Sequence, residues 1–456
     1  MQLAPTIRSH IENHIKVKGY KLQQFSSICG VNVGTMSAIL KGSRPIAMNQ
    51  LDQITSGMGL EKGYFYEMYC VECFVETAPH WRRLEPFLYR CADLNKLDCI
   101  KKVVVQVTDD RSYTSELFEM AEKIYNEEMN EAALILYECV ADSEKYQHSE
   151  RLALCQYRIF SINKSMSKFD NLSAAVHMEP YVDKLDEEIQ LDAIKDLANI
   201  YLTMHLWDKV YYLADELERK VDFQLSLQSR RRKSRQRIAF YPLFTYKAYA
   251  NLLKAGVCEA RQDYEKALEY TDIYERVIEI PNPTEEEQEL IERFQSWAKG
   301  NRYLYQMLLG NHKVLESYLD YLNDHPQEIL TAFVTIVQAA NQHALDIDFA
   351  LERFDPYIKQ FNTEEYVKGT YTDQVMNHRY IRFYYELAKY RLSQQKYKQG
   401  METLLISLKL SSASDDDLMS IRSIDLYGKF RNQASDSQEK QYSLLMDSLS
   451  TQHFGV

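Results

Sequence analysis

Two sets of residues are spaced so that they could perform recognition chemistry. The first is a series of asparagines, Asn163, Asn199, Asn251, Asn301 and Asn341, each placed ahead of a recurring turn. An Asn side chain both donates and accepts, so a row of them can hold the N–H and C=O groups of an extended peptide whatever its side chains. The plainer alternative is five ordinary polar helix positions. The second set is cationic. Lys41-Gly42-Ser43-Arg44 closes a short neutral segment near the start of the chain, and Ser229-Arg230-Arg231-Arg232-Lys233-Ser234-Arg235-Gln236-Arg237 is the densest charge run. Such a run can hold a carboxylate, a peptide C-terminus or phosphates. In the middle of an acidic body it reads more simply as a solvated loop or an intersubunit ion-pair patch.

Covalent chemistry is not signalled, and the chain does not read as an enzyme. There is no GxSxG elbow, no Walker A loop and no glycine-rich dinucleotide fingerprint. Cys70-Val71-Glu72-Cys73 is a lone CxxC without the second pair a zinc site needs, and Cys91 and Cys99 are poorly spaced to supply it. His10 and His14 share a helix face but lack an HExxH context. No metal and no cofactor are expected, and the eight cysteines are expected as reduced, mostly buried thiols.

The elements that must position these residues are helices. Only 14 Gly and 10 Pro occur in 456 residues, and no Asn-Gly or Asp-Gly hairpin signal is present, so the chain is expected to be all-α. Nothing resembles a signal peptide or a membrane span, so a cytoplasmic protein with no membrane partner is expected. The net charge of −12 is unevenly spread: residues 1–65 carry +4, leaving −16 for the remainder. Only the opening segment is suited to approach a polyanion.

That segment reads as five short helices. Residues 6–17 place Ile7, Ile11 and His14/Ile15 on one face, and Gly19 ends the helix. Residues 22–29 turn Leu22, Phe25 and Ile28/Cys29 inward, and Gly30 supplies a left-handed turn. Asn32 caps a third helix that runs to Lys41 with Met36, Ile39 and Leu40 inward. Residues 49–56 form a fourth with Leu51 and Ile54 inward, and Gly63 leads into a fifth. Phe25-Ser26, Gly30-Val31-Asn32, Thr35-Met36-Ser37, Ile39-Leu40, Lys41-Gly42 and Leu60 together resemble the Xre-type helix-turn-helix family. The resemblance implies that the third helix enters the DNA major groove. Val33, Gly34, Ser37 and Ala38 would then face base edges. Thr35, Lys41, Ser43 and Arg44 would lie near phosphates, with Lys21 and Asn32 completing the interface. The reading face has no Arg, Asn or Gln for bidentate base contacts, and Leu22 stands where the family often has Gln. Contact with thymine methyls and readout of DNA shape are therefore expected.

An aromatic-rich stretch follows, with Tyr64, Phe65, Tyr66, Tyr69, Phe74, Trp81, Phe87 and Tyr89, interrupted by Pro79 and Pro86. It reads as a packed helical connector. Beyond it one pattern recurs, clearest in Asp263-Tyr264-Glu265-Lys266-Ala267-Leu268 and seen again near Asn130, Phe169, Trp207, Asn311, Ile347 and Tyr397. These copies resemble degenerate tetratricopeptide repeats, which stack helix pairs into an α-solenoid with a concave face. Capping boxes are expected at Thr284/Glu287 and, in looser form, Asp436/Glu439. The expected division is a helix-turn-helix domain over 1–66, a linker over 67–90 and a repeat array over 91–456.

This architecture resembles the RRNPP family of peptide-pheromone receptors. The resemblance implies a homodimeric transcription regulator, with a double-stranded DNA operator as one partner and a short signalling peptide, bound in the repeat groove, as the other. Binding of the peptide would alter the spacing of two DNA-binding heads. The alternatives are an array that binds a partner protein, and one that only dimerises a constitutive repressor.

Overall fold

A computed structural model describes residues 6–75, 80–108, 113–147, 149–164, 168–228, 240–361, 373–414 and 416–454. The chain is all-α, with no strand among the described residues, and it divides into two compact units, Met1–Gln190 and Leu191–Val456.

In the first unit, α1 (Ile7–Lys18), α2 (Leu22–Cys29), α3 (Val33–Leu40), α4 (Met48–Gly57) and α5 (Tyr66–Cys70) form a head, and α5 runs on into a π-helical turn, Val71–Val75. Then come α6 (Trp81–Asp93), α7 (Leu97–Thr108), α8 (Thr114–Asn126), α9 (Asn130–Glu144), α10 (Glu150–Ile162) and α11 (Lys168–Met178). The α6 helix passes straight through Pro86, which therefore does not interrupt it; Pro79 lies outside the described residues. One buried cluster joins Ile7, Phe25 and Ile54 of the head to Phe87, Val103 and Leu136 behind it.

Helix α12 (Glu187–Thr203) spans the division. The second unit continues with α13 (Trp207–Gln228), α14 (Leu243–Ala260), α15 (Tyr264–Val277), α16 (Glu285–Leu308), α17 (Leu315–Asp324) and α18 (Ile329–His343). It ends with α19 (Asp348–Arg353), α20 (Asp355–Ile358), α21 (Asp373–Ser393), α22 (Tyr397–Ala413), α23 (Asp417–Phe430) and α24 (Asp436–Phe454).

The recurring sequence pattern falls where the second helix of a hairpin begins: α9, α11, α13, α15, the turn before α17, α19 and α22. A common turn precedes most of them. Asn95, Glu128, His205, Gln262, Gly310 and Gln395 each take a left-handed φ two residues before the second helix. In each the next N–H bonds back to the carbonyl five residues earlier, as Asp263 N does to Cys258 O at 2.9 Å and Lys396 N to Arg391 O at 2.9 Å. This is the Schellman closure, which satisfies carbonyls the helix end leaves open. The capping box at Thr284/Glu287 is present, with bonds of 2.9 and 3.2 Å. The one expected at Asp436/Glu439 is shifted by a residue: Ser435 and Gln438 exchange the bonds, at 2.9 and 3.4 Å, while Glu439 pairs with Arg431 at 3.0 Å. Ser435 is the residue immediately ahead of α24, so its hydroxyl is the group placed to accept from the N–H three residues on.

Candidate functional site

The head is shaped by local signals. Thr6 accepts from Ser9 N at 3.2 Å to start α1. Gly30, at φ 68°, closes α2 in a conformation that a side chain disfavours, and Asn32 Oδ1 accepts from Gly34 N at 2.9 Å to start α3. Ile7, Ile11, Phe25, Met36, Ile39, Leu51 and Ile54 are wholly buried, whereas Ile28 is exposed and Cys29 takes the inward position. Leu22 is half-buried. His14 packs against Phe25 and Tyr20, and His10 against Phe65, so both histidines serve packing.

Most of the residues expected at DNA are accessible along α3 and the turn after it. Val33 is 40% exposed, Asn32 and Gly34 are exposed, and Thr35, Ser37 and Ala38 are half-exposed along the same helix. Lys41, Ser43 and Arg44 follow on an exposed turn, which is folded back by bonds from Ser43 N and Arg44 N to Ala38 O at 3.1 and 3.2 Å. Arg44 Nη1 reaches Thr35 Oγ1 at 3.4 Å, so the guanidinium lies beside the first turn of α3. Lys21 is exposed ahead of α2, and its N–H is held by Gln24 Oε1 at 2.9 Å. At Gly42, φ 76°, an added Cβ would stand 3.4 Å from Arg8 Nη1, so the turn packs directly on α1.

Sequence reasoning missed how firmly the connector grips this head. Glu72, inside the CxxC segment, accepts from Ile7 N at 2.8 Å and so caps α1. Tyr69 Oη donates to Ile46 O at 2.7 Å in a buried bond, and Tyr66 Oη donates to Asp52 Oδ1 at 2.7 Å. Arg90 Nε approaches Asp52 Oδ2 at 3.4 Å. Of the two CxxC thiols, Cys70 is buried and Cys73 accepts from Arg83 Nη2 at 2.8 Å. No group of three or more His, Cys, Asp or Glu side chains able to hold a metal occurs among the described residues.

In the second unit, Asn199, Asn251, Asn301 and Asn341 do fall on the first helices of successive hairpins, α12, α14, α16 and α18. Their amides stitch neighbouring helices together. Asn199 accepts from Tyr249 Oη. Asn251, 1% exposed, donates to Glu218 Oε1 at 2.9 Å and to Lys247 O at 3.0 Å. Asn301 donates to Tyr274 Oη at 3.2 Å, and Asn341 to Glu386 O and Oε2 at 2.9 and 2.8 Å. Asn163 stands apart as the exposed residue that ends α10 in the first unit. The Arg230–Arg237 basic run lies outside the described residues.

Beside Asn251, Lys254 is 4% exposed and donates to Asp215 at 2.8 Å and Glu218 at 2.7 Å. Burial alone would raise the Glu218 carboxyl, but the bonds from Lys254 and Asn251 outweigh it and hold the group below its usual range.

The row of hairpins in this unit curls on itself. The His205 ring, at the α12–α13 turn, lies 5.5 Å from the ring of His378 on α21, which pairs with Asp416 at 3.0 Å. Helices packed side by side at about 10 Å would separate α12 and α21 by roughly 40 Å in a straight row. On the face shared by the first helices, Tyr305 (α16) donates to Glu259 (α14) at 3.4 Å, and Arg379 and Arg382 (α21) donate to Thr331 and Gln338 (α18), each at 2.6 Å. Burial pushes the Glu259 carboxyl up by more than the Arg382 and Arg379 charges pull it down. No helix among the described residues is long and apolar enough to cross a membrane.

Comparison of the sequence with protein-family profiles and with curated proteins finds no match. Among solved structures, the chain aligns with Bacillus thuringiensis PlcR in complex with the peptide PapR7 and DNA. The alignment covers 79% of this chain and 100% of that one, at 14% identity and a TM-score of 0.25. A likeness this weak fixes neither the fold nor a site.

Proposed function

We propose that this protein is a DNA-binding transcription regulator whose second unit receives a short signalling peptide on its inner face. In this reading residues 1–66 form the DNA-binding domain, 67–90 its connector and 91–456 the ligand-binding repeats, and the working form is a homodimer. The observation that carries the reading is the α3 surface. A short helix is capped at Asn32 and approached through Gly30, and it presents Val33, Gly34, Ser37 and Ala38 outward with Lys41 and Arg44 at its end. Small side chains let a helix approach base edges closely, and the two cations suit the flanking phosphates. The acidic remainder is repelled by DNA, which favours contact through the head alone.

The peptide part is supported by the curled hairpin row and by the polar residues its first helices bring together. Asn199, Asn301 and Asn341 are the ladder positions that remain partly accessible there.

The test is a salt titration of DNA affinity by fluorescence anisotropy, using duplexes selected from a random pool. Replacing Lys41 and Arg44 with Ala should weaken binding to all sequences alike and reduce the slope of log affinity against log salt by about 2. An unchanged slope rejects the docking surface. Native mass spectrometry of protein purified from dense cultures of its own host should show a dimer carrying one short peptide per subunit.

A further inference from the structure

Several arginines in the second unit are ion-paired. Arg302 holds Asp272 at 2.8 Å and Glu275 at 2.6 Å, and Arg353 holds Asp320 at 2.7 Å. Arg382 differs. It is half-buried, its hydrogen bond goes to the neutral Gln338 Oε1, and no carboxylate among the described residues lies within ion-pair distance. Glu259 is its counterpart across the inner face. It is half-buried and accepts only the long bond from Tyr305, and it senses Arg382 electrostatically without meeting it. A guanidinium has five N–H donors in a planar fork that matches a carboxylate. A half-buried cation served by one amide oxygen carries a desolvation cost that an incoming anion offsets.

We infer that Arg382 is the anchor for a carboxylate of the bound peptide, with Arg379, one turn earlier on the same helix, extending the cationic edge and Glu259 accepting a ligand N–H. The inference rests on the peptide-receptor reading and names the chemistry of that site. A singly charged carboxylate fits better than a phosphate, because Glu259 opposes a second negative charge. The carboxylate comes either from the peptide's C-terminus or from an Asp or Glu side chain.

The full-length protein is equilibrated with three pools of short random peptides. One has free C-termini and no Asp or Glu, one has C-terminal amides with Asp and Glu included, and one has amides without Asp or Glu. Retained peptides are quantified by mass spectrometry after ultrafiltration. The wild-type protein should retain one of the first two pools about tenfold over the third, the value of one charge-assisted bond. Which pool wins identifies the source of the carboxylate. Arg382→Gln should bring that ratio close to one while still retaining peptide. Should that variant fail to fold, as judged by its thermal melt, Arg382→Lys keeps the charge without the fork and should lower the ratio partway. Equal retention of all three pools by the wild type, or an undiminished ratio in the folded variant, overturns the carboxylate anchor and leaves the receptor reading standing. Retention of no pool overturns both.

Discussion

The head and the hairpin array close their helices with the same backbone turn but build it from different residues. In the head, the left-handed positions that end helices are Gly19, Gly30, Gly42 and Gly59, each followed by an N–H that bonds five residues back. In the array the equivalent positions are Asn95, Glu128, His205, Gln262, Ala344 and Gln395, with Gly310 the single glycine among these turns. A left-handed conformation costs a non-glycine residue about 1–2 kcal/mol. The array bears that cost because each turn is fixed by the packing of two long helices. The head's helices are too short to enforce such a turn, so its glycines must do so.

Four substitutions probe this contrast, and the largest effect belongs to the head. Phe25→Ala removes a fully buried ring from a small core and should destabilise it by about 3–5 kcal/mol. Peptide-level hydrogen exchange on the full chain should rise across residues 7–57 and stay unchanged across 191–454, with DNA affinity lost. A rise in both regions would erase the distinction. In the array, Lys254→Met should cost about 2–3 kcal/mol by leaving the Glu218 carboxylate without its cation. It should also change the acid response. A carboxyl held low in the folded state adds stability that is complete above its unfolded value, near pH 4.3, and is lost as pH falls through its folded value. Chemical denaturation from pH 6 downward should therefore show a shallower acid loss in Lys254→Met than in the wild type.

The last two substitutions set one turn against the other. Gly30→Ala meets no atom within 4 Å, so only backbone strain acts, and a loss of about 1–2 kcal/mol is expected in the thermal melt. Gln262→Gly should do the reverse. Relief of strain exceeds the extra freedom of the unfolded chain, for a gain of about 0.5–1 kcal/mol. If both substitutions destabilise equally, the two sets of turns are under the same local control.

The same contrast explains what the sequence made legible. The head's glycines, the Asn32 cap and the apolar spacing of Ile7, Ile11 and Phe25 are local signals, and they located its helices to within a residue or two. In the array, the starts of the second helices were visible from their aromatic and apolar openings. The left-handed turns were not, since Glu128, Gln262 and Gln395 carry no sequence mark of an unusual φ. The asparagines illustrate a different limit. Their helices were foreseeable, but the partners that occupy them, Glu218, Tyr249, Tyr274 and Glu386, come from other helices at long range. Spacing along one chain cannot reveal which face of a helix a neighbour will cover. Arg382 and Glu259 were overlooked for the same reason, because helices far apart in the sequence bring them within electrostatic reach of each other.

Glu72 sits beyond the last head helix yet supplies the cap of the first, and Tyr69 pins the loop that follows α3. The head is therefore not a cassette. A graft ending at residue 66 would leave the α1 amide and the Ile46 carbonyl without partners and would expose the shared core. An exchangeable piece must extend through Arg90, so that any partner swap in protein engineering, or any recombination in nature, carries the connector along with the head.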